Sequence, residues 1–209
     1  MVQAAANPDL RSTDMLDVRA VEESDLTWRV LDTLNAFRFL LAVVLLVLFF
    51  AGGDPRFFGD RYPTLFAAIA AGYLVSSFVS GLAIRQRWVS AGTLTVWQVT
   101  ADIAAIVVLM HSSGGIASGL GGLLVVFVGA GSLILPLRIP AFFAALATLA
   151  VLGEQLFSQL GGVSDASNYT AAGILGAIIF AISLAARPLA RRIQESEALA
   201  EQRGIDLAN

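Results

Sequence analysis

Residues 172–192 read AGILGAIIFAISLAARPLARR, and this stretch decides the class of the protein. A run of apolar residues passes directly into a basic segment that contains Pro188, Arg191 and Arg192. An apolar span followed by clustered arginines is typical of a helix that leaves a membrane on its cytoplasmic side. Charged residues with helical spacing continue through residues 193–209, so we expect a signal linker helix behind the span.

The composition agrees with this interpretation. Of the 209 residues, 57% are hydrophobic and only 14% are charged, and the mean hydropathy is +0.77. A soluble globular domain does not need so much apolar surface, which places the chain in the membrane class. The net charge of −3 argues against a nucleic acid partner. The chain has no Cys, which excludes disulfides and thiolate chemistry.

Six apolar segments are candidates for crossing the bilayer, because a helix needs about 20 residues to span a hydrocarbon core of about 30 Å. They are Ala36–Ala51, Tyr62–Ile84, Gly92–His111, Ser118–Leu137, Ile139–Phe157 and Tyr169–Arg187. We therefore predict an all-α membrane protein, a six-transmembrane helical bundle with a C-terminal cytoplasmic signalling helix. Residues 1–33 are predicted to be an acidic, mostly disordered cytoplasmic tail, residues 34–187 the sensor domain and residues 188–209 the linker helix.

The arginines predict the orientation of the bundle. With the N-terminus inside, only Arg56 and Arg61 fall in outer loops, and the inner segments hold Arg29, Arg38, Arg85, Arg87, Arg138, Arg187, Arg191 and Arg192. This bias predicts that both termini are cytoplasmic. The outer loops are short, so a signal would be sensed within the bilayer or at its face.

Small residues recur at every fourth position in two spans, at Gly72, Ser76 and Ser80 and at Gly173, Ala177 and Ala181. Such faces allow helices to approach closely. They indicate either internal packing of one bundle or a surface on which a foreign membrane helix docks.

Polar residues inside the spans are candidates for recognition or switching. Asp102 lies near the middle of the third span, where a carboxylate is costly, so we expect it to be buried in protein. Thr95 and Gln98 share its helix face, and Gln98 can donate to the acid. A protonated Asp102 would tolerate replacement by Asn. The alternative to a recognition or switching site is that Thr95, Gln98 and Asp102 form a network with a purely structural role. Arg38 is expected to snorkel to the cytoplasmic face as an anchor.

His111 and Glu154 lie at matching depths near the outer ends of the third and fifth spans. They can form an ion pair, with chance proximity at the interface as the alternative. The glycine-rich run at residues 111–122 lacks the Lys of a phosphate loop, which indicates a compact turn. No pattern in the sequence indicates a catalytic, cofactor-binding or metal-binding residue.

Four stretches carry a resemblance to a known family. They are NAFR at residues 35–38, MHSSGGIASGLGGLL at 110–124, AGILGAIIFA at 172–181 and RIQESEALAEQRGIDLAN at 192–209. Together they resemble the N-terminal membrane region of PilS-type sensor histidine kinases, over roughly residues 30–209. The glycine-rich turn and the linker are the most specific parts of this resemblance.

The resemblance implies a membrane sensor in the bacterial inner membrane that reads pilin levels through helix contacts. It also implies control of type IV pilin transcription through a PilR-type response regulator. A PAS-like domain and an ATP- and Mg-dependent kinase would follow beyond Asn209, the parent protein would be a protein histidine kinase, and a homodimer is expected. The alternatives are a small six-span transporter or channel subunit, in which Asp102 and Glu154 line a pathway, and a structural membrane anchor.

Overall fold

The computed structural model describes residues 8–52, 58–135, 139–161 and 168–186, with side chains from Thr27 onward. These parts contain no β-strand. The helices are α1 (Pro8–Ala51), α2 (Pro63–Gln86), α3 (Ala91–Ser112), α4 (Gly122–Ile134), α5 (Ile139–Leu160) and α6 (Tyr169–Ala186), and a short 3-10 turn at Gly115–Ser118 precedes α4. The all-α prediction is confirmed, whereas the linker helix at residues 188–209 lies outside the described residues.

Local sequence explains where several helices begin and end. Pro63 starts α2, a position at which the missing N–H of proline costs nothing. Arg87 closes the same helix in the left-handed conformation, with its N–H bonded to the Ile84 carbonyl. Ser90 caps α3 by accepting a hydrogen bond from the Thr93 N–H at 3.3 Å. These caps join α2 to α3 through a short turn.

The first helix differs from the prediction at its start. α1 begins at Pro8, inside the tail predicted to be mostly disordered, and its membrane-spanning part is Thr27–Ala51 rather than Ala36–Ala51. Neither Gly nor Pro interrupts residues 9–26, so the helix can extend from the apolar span without a new nucleation step. This extension moves Arg38 from the predicted edge of the span to its middle.

The fourth predicted span, Ser118–Leu137, is also corrected. α4 has only 13 residues and measures about 20 Å at 1.5 Å per residue, less than the other five helices that can cross a membrane. Gly119 explains the late start, because it lies inside the predicted span and adopts a φ value of 74°, which breaks a helix. The run at residues 111–122 is thus the compact turn that the sequence predicted.

α3 is the central helix of the described bundle. Half of its most apolar window is buried, compared with 28% in α1 and 22% in α2 and α6. Its buried residues Val99, Ile106 and Met110 belong to a continuous apolar core to which the other helices contribute. Large apolar side chains on α1, α2 and α6 remain exposed, as expected for faces in contact with lipid.

Candidate functional site

A buried ion pair lies at the centre of the bundle, between Arg38 of α1 and Asp102 of α3. The Arg38 Nε is 2.9 Å from each carboxylate oxygen, and Nη2 is 2.6 Å from Oδ2. The residues are only 4% and 1% exposed. Both lie near the middle of their spans, so the carboxylate expected to be buried in protein is buried there, and its partner is the opposite charge.

Three more side chains complete this polar network. Arg38 Nη1 donates to Gln98 Oε1 at 2.8 Å, and the Tyr73 hydroxyl of α2 donates to Asp102 Oδ1 at 2.7 Å. The guanidinium also lies 5.3 Å from the centroid of the Phe127 ring of α4, a cation–π distance. The network therefore connects four helices, and every charged group in it has a partner.

The structure corrects three expectations about this region. Arg38 does not snorkel to the membrane surface, because its guanidinium points to a buried carboxylate instead. Gln98 accepts a hydrogen bond from Arg38, and its Nε2 has no partner among the described residues. Thr95 is buried but lies outside the network, since its hydroxyl donates to the Ala91 carbonyl at 2.7 Å.

The sequence interpretation missed Arg38 and Tyr73 as partners of Asp102. One signal was available: an arginine and an aspartate within different apolar spans tend to pair with each other. The predicted start of the first span at residue 36 concealed it, because that start placed Arg38 near the interface.

A second cluster lies at the C-terminal end of α3, around His111. His111 Nδ1 is 3.1 Å from Glu154 Oε1 of α5, so the structure brings the two predicted residues together. The imidazole stacks on Tyr62 at 5.6 Å and meets the edge of Phe157 at 5.8 Å. Next to it, Arg61 Nη1 donates to the Ser158 hydroxyl at 2.8 Å.

The candidate polar residues thus form two separate sites. Asp102 and His111 are nine residues apart on one helix, a rise of about 13 Å. Gln98 belongs to the mid-helix network with Arg38 and Asp102, whereas Glu154 belongs to the cluster with His111.

The two faces of small residues point away from the bundle. Gly72, Ser76, Gly173, Ala177 and Ala181 are exposed, and Ser80 is half-buried. A Cβ added at Gly72 or at Gly173 would meet no atom within 4 Å. Internal packing instead uses other glycines.

The close contacts inside the bundle involve Gly131 and Gly176 among others. A Cβ at Gly131 would lie 2.7 Å from Val99 Cγ2, and one at Gly176 would overlap the Thr148 side chain. The predicted small-residue faces are therefore open surfaces, and the tight helix contacts fall at different positions. The predicted signal linker residues Pro188, Arg191 and Arg192 lie outside the described residues.

Comparison with known proteins gives the family. The model of the PilS-like transmembrane domain, a six-span family, matches residues 21–200. The chain is also 30% identical over 182 residues to the sensor protein kinase PilS of Pseudomonas aeruginosa. These residues make up 87% of this chain and 34% of that relative. The chain therefore spans about a third of the length of this curated relative. No solved structure matches the chain. The described residues contain five membrane-length helices and a shorter sixth, and the family model matches most of the chain. The chain therefore belongs to the family of PilS-like transmembrane domains, the membrane region of sensor kinases of the PilS type.

Proposed function

We propose that this membrane module reads the level of pilin in the inner membrane and regulates type IV pilin transcription through a PilR-type response regulator. The observation that carries the proposal is the pair of open small-residue faces on α2 and α6. The membrane-embedded part of a pilin is the proposed occupant, because small side chains permit the close approach that helix association in lipid requires. We also propose that the signal acts on a kinase that uses ATP and Mg, in a longer parent protein.

The α2 face offers a direct route from docking to the polar network. Gly72 is exposed, whereas its neighbour Tyr73 is buried and donates to Asp102. A helix that packs on Gly72 would press on the same turn of α2 that holds Tyr73. A shift of this turn changes a hydrogen bond to the carboxylate that pairs with Arg38.

The α6 face offers a route to the linker. Its exposed side carries Gly173, and its buried side packs Gly176 against Thr148 of α5. Docking on the exposed side would favour one arrangement of α6 over another. The size of this shift equals the difference in the free energy with which the docked helix binds the two arrangements. Pro188, Arg191 and Arg192 follow this helix in sequence and are proposed to carry the change towards a kinase. We further propose a homodimer with both termini cytoplasmic.

A transporter or channel subunit is less well supported. That alternative needs acidic side chains that line a pathway, and Asp102 is instead bonded to Arg38 and Tyr73 and only 1% exposed. An ion pair covered by an aromatic ring holds helices together without providing a route for solute.

Site-specific crosslinking tests the proposal. The chain has no native Cys, so single cysteines at Ser76 of α2 and Ala177 of α6 provide unique crosslinking positions. We expect crosslinks to pilin in membranes, and we expect Gly72→Leu or Gly173→Leu to reduce them several-fold together with pilin-dependent kinase output from the full-length parent.

Gly153→Leu on α5 is the matched control, because Gly153 is also exposed and a Cβ there meets no atom within 4 Å. This control should leave crosslinking and output unchanged. If both test variants also crosslink and signal like the wild type, the proposed docking surface is wrong.

A further inference from the structure

A groove of about 400 Å³ lies between α1 and α2, a volume in the range of small-molecule sites. Two contacts define the antiparallel register of these helices. Asn35 lies against Gly81 near one end, since a Cβ on Gly81 would be 2.8 Å from Asn35 Nδ2. Phe49 stacks on Phe66 at 5.3 Å near the other end. This register sets the order of side chains along the groove.

The lining changes from charged to apolar along the groove. Asp32 of α1 and Arg85 of α2 lie at the same level at one end, and both are exposed. Asn35 follows Asp32 one turn later along α1. Phe39 follows one more turn along, and the antiparallel register places it at the level of Ser77 and Phe78 of α2. The order is thus a pair of opposite charges, then the amide of Asn35, then the Ser77 hydroxyl at the level of two aromatic rings. A phospholipid presents the same order, from headgroup through ester groups to acyl chain.

Two polar atoms in the lining are buried without a partner. Asn35 is 7% exposed and Ser77 is 3% exposed, and neither Asn35 Oδ1 nor Ser77 Oγ has a hydrogen-bond partner among the described residues. A buried polar group without a hydrogen bond costs about 1–3 kcal/mol. A ligand that supplies a donor to Asn35 Oδ1 and an acceptor to the Ser77 hydroxyl would remove this cost.

We propose that this groove binds a phospholipid whose headgroup carries both a phosphate and a primary ammonium, of the phosphatidylethanolamine type. The ammonium donates to the Asp32 carboxylate and to Asn35 Oδ1, which lie on one helix face at i and i+3. The phosphate pairs with the Arg85 guanidinium across the groove. Ser77 donates to an ester carbonyl, and the acyl chain lies along Phe39 and Phe78.

Charge decides in favour of a lipid over an apolar membrane helix as the occupant. One end of the groove is lined by one acid and one base, Asp32 and Arg85. This pair of charges complements a zwitterion, whereas an apolar helix offers no charge to either residue. Asn35 Oδ1 needs a hydrogen-bond donor, and this need distinguishes phosphatidylethanolamine from related lipids. A choline headgroup has no N–H to donate, and a phosphatidylglycerol headgroup has no cation for Asp32.

Lipid retention measured by native mass spectrometry tests the proposal. The 209-residue chain is purified in detergent and mixed with equal amounts of phosphatidylethanolamine, phosphatidylcholine and phosphatidylglycerol of identical acyl chains. We expect about tenfold higher retention of phosphatidylethanolamine than of phosphatidylcholine, which corresponds to about 1.4 kcal/mol. Asp32→Asn should reduce this preference to near equality, and Arg85→Gln should reduce retention of all three lipids.

Asp60→Asn is the matched control, since Asp60 is an exposed acid near the start of α2, at the far end from the groove. This variant should keep the wild-type preference. The wild-type comparison of lipids stands by itself if a variant fails to fold. Equal retention of the three lipids by the wild type, or a preference for phosphatidylglycerol, would overturn the proposal.

Discussion

Arg38 is held by acceptors from two side chains, the Asp102 carboxylate and the Gln98 amide. Both charges lie in the middle of membrane spans, where an unpaired ion is very costly. Removing one partner of a buried pair destabilises by about 3–5 kcal/mol, because the remaining charge stays buried. The network therefore holds α1 against α3, and Tyr73 connects α2 to the same carboxylate.

Asp102→Ala should lower the free energy of unfolding by about 3–5 kcal/mol, since it leaves the Arg38 guanidinium buried without its counter-ion. Asp102→Asn should also be destabilising, because the neutral amide offers one acceptor where the carboxylate offers two. The double variant Arg38→Met/Asp102→Leu should recover most of the loss. Denaturant unfolding in detergent measures these variants together with the single variants Arg38→Met and Asp102→Leu, and the expected non-additivity of that cycle gives the coupling energy. If the double variant loses as much free energy of unfolding as its two single variants together, Arg38 and Asp102 do not stabilise the bundle as a pair.

Tyr73→Phe removes a single hydrogen bond to Asp102 and keeps the ring. We expect a loss of about 1 kcal/mol in the free energy of unfolding. Tyr62→Phe is the control, because Tyr62 is exposed and lies outside the network, and its ring keeps the stacking on His111. Equal effects of the two substitutions in the same unfolding assay would show that the Tyr73 hydroxyl has no special role.

At the scale of elements, α6 has one face for the bundle and another for lipid. Gly176 packs against Thr148 on the buried face, whereas Gly173 is exposed less than one turn away. The sequence pattern pointed to Gly173, Ala177 and Ala181, and it could not say whether this face is turned inward. Helix rotation decides that, and rotation depends on the apolar contacts of Ile179 and Leu175 with the core.

Gly176→Val should lower the melting temperature of the chain by several degrees, because its side chain would overlap Thr148. Gly173→Val should leave the melting temperature nearly unchanged, since a Cβ there meets nothing within 4 Å. Thermal unfolding in detergent compares the two variants, which have the same change in composition and the same helix. Similar losses from both would mean that the packing of α6 differs from that described.

At the scale of the whole molecule, the short α4 decides the topology. With 13 residues it is about 20 Å long and needs its flanking segments to complete a crossing of about 30 Å. Reporter fusions at residues 56, 113 and 163 should report the outer side, and fusions at residues 87 and 138 the inner side. A re-entrant α4 would leave residue 138 outside, and that result would overturn the six-span topology with both termini cytoplasmic.

The sequence by itself determined the membrane class, the approximate positions of most spans, the turn at residues 111–122 and the family. These follow from local sums of hydropathy and from short motifs, which need no knowledge of distant residues. It did not determine the starts of α1 and α4, because helix propagation and glycine conformation shift the ends of apolar segments. Only the tertiary structure decided that Asp102 pairs with Arg38 and Tyr73, and that Asn35 and Ser77 line one groove. Such pairings join residues 29 to 64 positions apart, and they depend on helix rotation and register, which no local pattern specifies.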